Sequence, residues 1–212
     1  MNRAELVAEI EAGAAQLGQS LPGCAAESLA TLIEELGRWG RRINLTAVLD
    51  PGAMVSLHVL DSLSLRPALH GRRIIDIGTG AGFPGLPFAI AEPGRDFTLL
   101  DSSGRKISFV QHMIGMLRLR NVHAVRSRAE DYAPGKGFDT VVARALAALP
   151  RLAELAGPLL AEGGVLLAPK GKYPAEELEE LPADWTCEVT EVTVPGLEAH
   201  ARHLLTLRRR GS

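Results

Sequence analysis

Arg73-Ile74-Ile75-Asp76-Ile77-Gly78-Thr79-Gly80-Ala81-Gly82-Phe83-Pro84-Gly85 decides the fold. It begins with a short apolar run holding one carboxylate, the pattern of a buried strand. Glycines then fall at every second position, and Leu86, Phe88 and Ile90 start an apolar helix. A chain that turns sharply from strand to helix needs unusual backbone angles, and a ligand lying on that turn needs close backbone approach. Glycine supplies both.

Downstream, apolar runs at 96–101, 122–126, 138–143 and 164–168 alternate with helix-like segments or turns. This texture predicts a parallel sheet with crossover helices. The last pieces, 185–195 and 202–209, read as two longer strands joined at Pro195-Gly196, an antiparallel hairpin ending the sheet. Upstream, residues 1 to 70 read as helical. Leu6, Ile10, Ala14 and Leu17 recur at helical spacing, then Leu29, Leu32, Ile33, Leu36 and Trp39 share a face. Asp50-Pro51-Gly52 marks a turn, with Asp50 capping a third helix that carries Met54, Val55, Leu57, Leu60 and Leu63. The expected organisation is a helical extension over 1–70 and an α/β, Rossmann-like domain over 71–212 with a mostly parallel seven-stranded sheet.

The 212 residues are 46% hydrophobic and 23% charged, enough apolar material for a real core. Aromatics at 4% argue against an aromatic platform for stacking bases, and a net charge of -2 argues against coating nucleic acid by bulk charge. Cys24 and Cys187 form no metal-binding spacing, so no metal is expected and a reducing cytoplasm is the natural location. The N-terminus lacks a signal-peptide pattern, and no apolar stretch approaches about eighteen residues, so no membrane span is expected.

Gly80-Ala81-Gly82-Phe83-Pro84-Gly85 formally satisfies the dinucleotide pattern GxGxxG. Two details favour S-adenosylmethionine instead. Asp76 sits inside the strand ahead of the loop, where a carboxylate suits a cationic ligand and would repel a pyrophosphate. The first glycine after the strand is Gly78, so the dinucleotide match starts two residues late. Asp101 ends the next strand and is placed to accept from ribose hydroxyls, which serves either ligand. Gly78, Gly80, Gly82 and Asp101 thus form a candidate adenosyl site.

The other strand ends add candidates. Ser127-Arg128-Ala129-Glu130-Asp131 is expected to pin an adenine ring or, alternatively, to begin a helix. Arg144, between apolar neighbours at the functional end of a strand, is costly to bury unpaired and reads as a site residue. Lys170, in Pro169-Lys170-Gly171-Lys172, reads as a contact to substrate phosphate or as a solvated lysine. His58 and Asp61 share a helical face, either as a catalytic pair or as a tether of the extension to the sheet. Arg38, Arg41, Arg42, Arg118, Arg120, Arg126 and Arg128 form either a phosphate-binding face or a scattered set. Arg208-Arg209-Arg210 reads as a frayed basic tail or as a helper contact to RNA. Neither cysteine falls at a strand end, and Arg144-Ala145-Leu146 stands where a proline loop handling exocyclic adenine nitrogens would belong. Methylation of a ring nitrogen with its own lone pair, such as guanine N7, fits this residue set; a small-molecule methyltransferase, a non-catalytic binding module and a dinucleotide oxidoreductase are the rivals.

Together, Asn44-Leu45-Thr46-Ala47, His58-Val59-Leu60-Asp61-Ser62-Leu63, the glycine loop, Leu99-Leu100-Asp101-Ser102, Ser127-Arg128-Ala129-Glu130, Ala143-Arg144-Ala145 and Lys170-Gly171 resemble the RsmG (GidB) family over nearly the whole chain. That family methylates guanine N7 in the 530 loop of bacterial 16S rRNA. The resemblance implies a Rossmann-like class I methyltransferase using S-adenosylmethionine, with the small ribosomal subunit or its RNA as partner. Monomeric action is the default expectation. Its cofactor contacts fall on Gly78, Phe83, Asp101, Ala129, Glu130 and Arg144. The family pattern often has Pro at 81 and Leu at 83, where this chain has Ala81 and Phe83.

Overall fold

A computed structural model describes residues 1–43 and 45–211, with the side chains of 41–43 left outside that description. Asn44, and the side chains of Arg41 and Arg42, therefore lie outside the described residues. Helices α1 (Arg3–Gln16) and α2 (Ala25–Ile43) come first. Asn2 and Glu5 close a reciprocal capping box at the start of α1, satisfying two backbone donors the helix itself leaves open. Leu6, Ile10 and Ala14 of α1 are buried, as are Leu29, Leu32, Ile33 and Leu36 of α2.

The third expected helix is broken into three turns: α3 (Pro51–Met54), a π-helical turn (Val55–Leu60) and α4 (Asp61–Ser64). Asp50 caps it as expected, its side chain accepting from the Ala53 backbone N–H at 2.8 Å. A π turn fits one extra residue into the helix, which apolar periodicity does not register.

Seven strands follow: β1 (Arg73–Ile77), β2 (Asp96–Asp101), β3 (Val122–Arg126), β4 (Phe138–Val142), β5 (Leu160–Lys170), β6 (Trp185–Glu191) and β7 (His203–Arg209). Between them lie α5 (Gly85–Ala91), α6 (Gly104–Leu117), α7 (Leu149–Ala156) and α8 (Ala175–Glu179). The order across the sheet is β3-β2-β1-β4-β5-β7-β6, with β7 antiparallel to both its neighbours. This is the expected α/β sheet. Order reverses at β1, whose neighbours are β2 and β4, and the carboxyl ends of these strands define the crevice where such sheets bind ligands.

Two boundaries differ from expectation. β5 starts at Leu160 rather than 164 because Gly163 and Gly164 form an irregularity within the strand. The pairing with β4 jumps from Phe138–Leu160 to Thr140–Val165, and Gly163 takes φ +70°. β6 stops at Glu191 rather than 195. Val194 and Leu197 leave the sheet to bury themselves in the core beneath the N-terminal helices. The basic triplet is not frayed through its length either, since Arg208 and Arg209 belong to β7.

Side chains alternate across the sheet with period two. Ile74 joins the core shared with α1, α2, α5 and α6, while Ile75 and Ile77 join the core beneath α7. No described helix is long and apolar enough to cross a membrane.

Candidate functional site

The glycine loop is bent as its composition demands. Gly78, Gly80 and Gly82 have φ of +68°, +62° and +87°, a region side chains rarely enter. A Cβ on Gly78 would lie 2.7 Å from the Leu146 side chain, where the loop meets the segment after β4. Gly85 serves packing instead: a Cβ there would strike Leu99 and come within 2.9 Å of Asp76 Oδ2.

Asp76 is fully buried. Its Oδ2 accepts from Thr79 Oγ1 at 2.6 Å and from the Gly85 N–H at 2.9 Å, while Oδ1 has no partner. Burial pushes its carboxyl up to about 6, against the pull of those hydrogen bonds and of the Arg144 charge. An orphaned carboxylate oxygen behind a glycine loop is the group that a cationic ligand would satisfy. Thr79, three residues beyond Asp76, was not singled out from the sequence; that spacing on a turn was the available signal.

Asp101 ends β2 and faces the same loop. Its Oδ2 accepts from the Gly80 N–H at 3.0 Å and its Oδ1 from the Ser103 N–H at 2.8 Å, with Lys106 Nζ 3.6 Å away. Each oxygen retains a further lone pair. Together with Gly78, Leu100, Ala129, Glu130, Arg144 and Leu146, Asp101 lines a cleft of about 410 Å³ at the carboxyl ends of the strands. A carboxylate, a bent glycine backbone and apolar surface from Leu100, Ala129 and Leu155 form a donor and acceptor set suited to an adenosyl group.

Residues 128–132 form a turn rather than the start of a helix, with the Asp131 N–H donating to the Arg128 carbonyl at 3.3 Å. The Glu130 carboxylate is engaged by Arg151 of α7 at 2.6 Å, so the backbone here carries more recognition capacity than the side chain.

Arg144 closes the opposite side of the cleft. Its Nη1 donates to Asp61 Oδ2 at 3.1 Å and to the Leu57 carbonyl at 3.4 Å, and its guanidinium lies 5.9 Å from the Phe83 ring centre. Ala145 follows at φ +52°, a conformation held by its surroundings at some cost. Phe83 is buried against the His58 ring, with centroids 5.0 Å apart, and stands behind the loop rather than in the cleft lining.

His58 and Asp61 do not pair with each other. His58 Nε2 meets Thr46 Oγ1 at 2.9 Å and Nδ1 has no partner. Burial, with Arg144 nearby, pushes the imidazole down to about 4 and keeps it neutral. Asp61 reaches Arg144 and, through its other oxygen, Arg202 Nε at 3.0 Å. The arrangement is a tether between the helical segment, the cleft and the tail hairpin. Arg202 and Glu177 were not identified from sequence, where no spacing connects them to the cleft.

Lys170 also lies outside the lining. Its Nζ donates to both oxygens of Glu177, at 3.1 and 2.8 Å, and to the Ala147 carbonyl at 3.2 Å. The basic set divides: Arg128 lines the cleft, whereas Arg118 and Arg120 line a groove at the opposite end of the strands. Arg38 pairs with Glu35. Among the described residues, no three His, Cys, Asp or Glu side chains converge to hold a metal ion.

Comparison with known proteins accords with this geometry. The family model described as rRNA small subunit methyltransferase G matches residues 25–205. A relative of that name from Methylococcus capsulatus is 45% identical over 202 residues, spanning 95% of this chain and 98% of the relative. Another, from Alkalilimnicola ehrlichii, is 46% identical over 202 residues, spanning 95% and 91%. A solved DhpI–SAH complex shares the fold, with a TM-score of 0.59 at 19% identity, covering 91% of this chain and 100% of the other. On the family model and on these relatives, the chain belongs to the rRNA small subunit methyltransferase G family.

Proposed function

We propose that this protein transfers a methyl group from S-adenosylmethionine to N7 of a guanine in the 530 loop of 16S rRNA. One observation carries the choice of atom: among the described residues, the cleft lining contains no cysteine, histidine or tyrosine. Cys24 is exposed at the other end of the strands, and burial pushes the Cys187 thiol on β6 up to about 11. The two carboxylates of the lining are already engaged, Asp101 by the Gly80 and Ser103 N–H groups and Glu130 by Arg151, and such a set suits an acceptor that brings its own lone pair and has no proton to lose. Guanine N7 is such an atom.

When bound, adenosylmethionine supplies an electrophilic methyl on a sulfonium centre. Asp76 and the Gly78–Gly82 loop would hold its methionine end, Phe83 supporting the loop from behind. Asp101 would accept from its ribose hydroxyls, and the Ala129-Glu130 backbone would face its adenine. Arg144 borders the acceptor side, and Lys170 supports that border through the Ala147 carbonyl. The work of these residues is alignment of acceptor and methyl, with exclusion of water.

Arg128, Glu130 and Arg151 at the cleft are exposed, which supports a large acceptor over a small molecule held under a lid. Action as a monomer, in the cytoplasm with the small ribosomal subunit, belongs to the same reading. The test is to map 7-methylguanosine in 16S rRNA from cells lacking the protein. Loss of the 530-loop mark is expected; its survival would overturn the substrate assignment.

A further inference from the structure

Asp61 stands where three distant parts of the chain meet. It lies at the junction of the π turn and α4, with its side chain 13% exposed. Arg144 is 83 residues away and Arg202 is 141 residues away, yet each donates to a different oxygen of this one carboxylate. The connection between β6 and β7 packs on the same turn. A Cβ on Gly196, at φ +79°, would collide with Ser56, and Val194 and Leu197 are buried beside it.

The charges do not balance. Two guanidinium groups share one carboxylate, and neighbouring His58 is neutral. A bridge that merely fastened helices together would have no need to draw one partner from the cleft lining. Arg144 is that partner, and its guanidinium lies 5.9 Å from the Phe83 ring centre. Without an anion at 61, Arg144 would keep only the long bond to the Leu57 carbonyl and the influence of Asp76, and repulsion from Arg202 would turn it away from its present direction.

We propose that Asp61 is a positioning residue for methyl transfer. It aims the Arg144 guanidinium along the acceptor side of the cleft, and Arg202 shares its charge so that the aim depends on the tail connection being docked. The inference rests on the reading of the cleft as a methyl-transfer site. It extends that reading to a residue that touches neither cofactor nor acceptor.

The experiment is a double-mutant cycle on the full chain. Small-subunit RNA is methylated with radiolabelled adenosylmethionine at saturating concentrations of both. Asp61→Asn, Arg144→Gln, the double variant and Arg202→Gln are compared, with thermal melts alongside. Asp61→Asn is expected to lower kcat at least tenfold. In the Arg144→Gln background the same change is expected to cost less than threefold, because its effect runs through Arg144. Asp61→Glu, which restores the charge, is expected to recover part of the lost rate. A structural role alone predicts equal cost in both backgrounds, and that result overturns the proposal, as does an unchanged kcat in Asp61→Asn. Should Asp61→Asn not fold, Arg202→Gln decides: a three- to tenfold fall in kcat with an unchanged melt supports the proposal, and an unaltered kcat overturns it. A wild-type chain that methylates no small-subunit RNA would instead defeat the underlying reading, a result separate from the cycle.

Discussion

The Asp101 carboxylate accepts the Gly80 N–H at 3.0 Å, so the end of β2 holds the bend of the loop that follows β1. The residue proposed for ribose recognition therefore also shapes the surface on which the ribose would rest. Asp101→Ala is expected to remove charge-assisted hydrogen bonds, each contributing about 1.5 to 3 kcal/mol. Two such bonds correspond to a loss of affinity of about a hundredfold or more. Titration calorimetry with adenosylmethionine measures this directly, and unchanged affinity would sink the ribose assignment.

Gly78 faces two constraints at once, its positive φ and its proximity to Leu146. Gly78→Ala is expected to cost about 1 to 2 kcal/mol of stability from the left-handed backbone alone. The added methyl also projects toward the cleft wall, so adenosylmethionine affinity should fall at least about tenfold. Melting and calorimetry on one preparation separate the two effects. A variant as stable and as tightly binding as wild type would show that the bend is not required.

Asp76 and His58 oppose each other in pH dependence. Asp76 has a folded value of about 6 against 3.8, so the native state binds more protons and its contribution falls as pH rises from about 4 to 6. His58 has a folded value of about 4 against 6.5, so the native state binds fewer protons and its contribution falls as pH drops from about 6.5 to 4. In Asp76→Asn the histidine should dominate the slope, in the same sense as depressed carboxyls such as Glu177, with stability decreasing toward acid by about 2 kcal/mol across this window. In His58→Gln the slope should reverse, with stability decreasing as pH rises. Melts at half-unit steps from pH 4.5 to 6.5 check both signs; two profiles parallel to wild type would exclude burial of these groups as the cause.

Lys170 and Glu177 act on the cleft from behind. Desolvation raises the Glu177 carboxyl, yet the Lys170 ammonium and the Leu149 N–H outweigh it and hold the group below its ordinary range. Lys170→Met removes the anchor on the Ala147 carbonyl and leaves Glu177 with its bond from the start of α7. We expect kcat on RNA to fall about tenfold with adenosylmethionine affinity changed by less than about threefold. Glu177→Gln, which still accepts from Leu149, should cost less. Full activity in Lys170→Met would remove this residue from the functional account.

Local chemistry was legible in the sequence, and long-range pairing was not. The strands at 73–77, 96–101 and 122–126 follow the expected boundaries because buried runs between turn residues have few alternatives. Asp76, Asp101 and Arg144 were identifiable because a charged residue inside or at the end of an apolar strand needs a reason. The partners were hidden. Asp61–Arg202 and Asp61–Arg144 arise from topology, which brings residues 141 and 83 positions apart together with no fixed spacing. The π turn was hidden too, since one inserted residue leaves the apolar pattern intact.

The position of β7 sets an order of assembly. Its pairing partners β5 and β6 are both made before it, yet they touch only through it. During synthesis the glycine loop, Asp101 and the turn at 128–132 can be in place while β6 still has no neighbour in the sheet. The edge closes only when His203–Arg209 has left the ribosome, and Arg202 reaches Asp61 in that same step. The Arg202 contact to Asp61 is therefore the last support of the cleft to form, and it comes with the strand that fills the gap between β5 and β6.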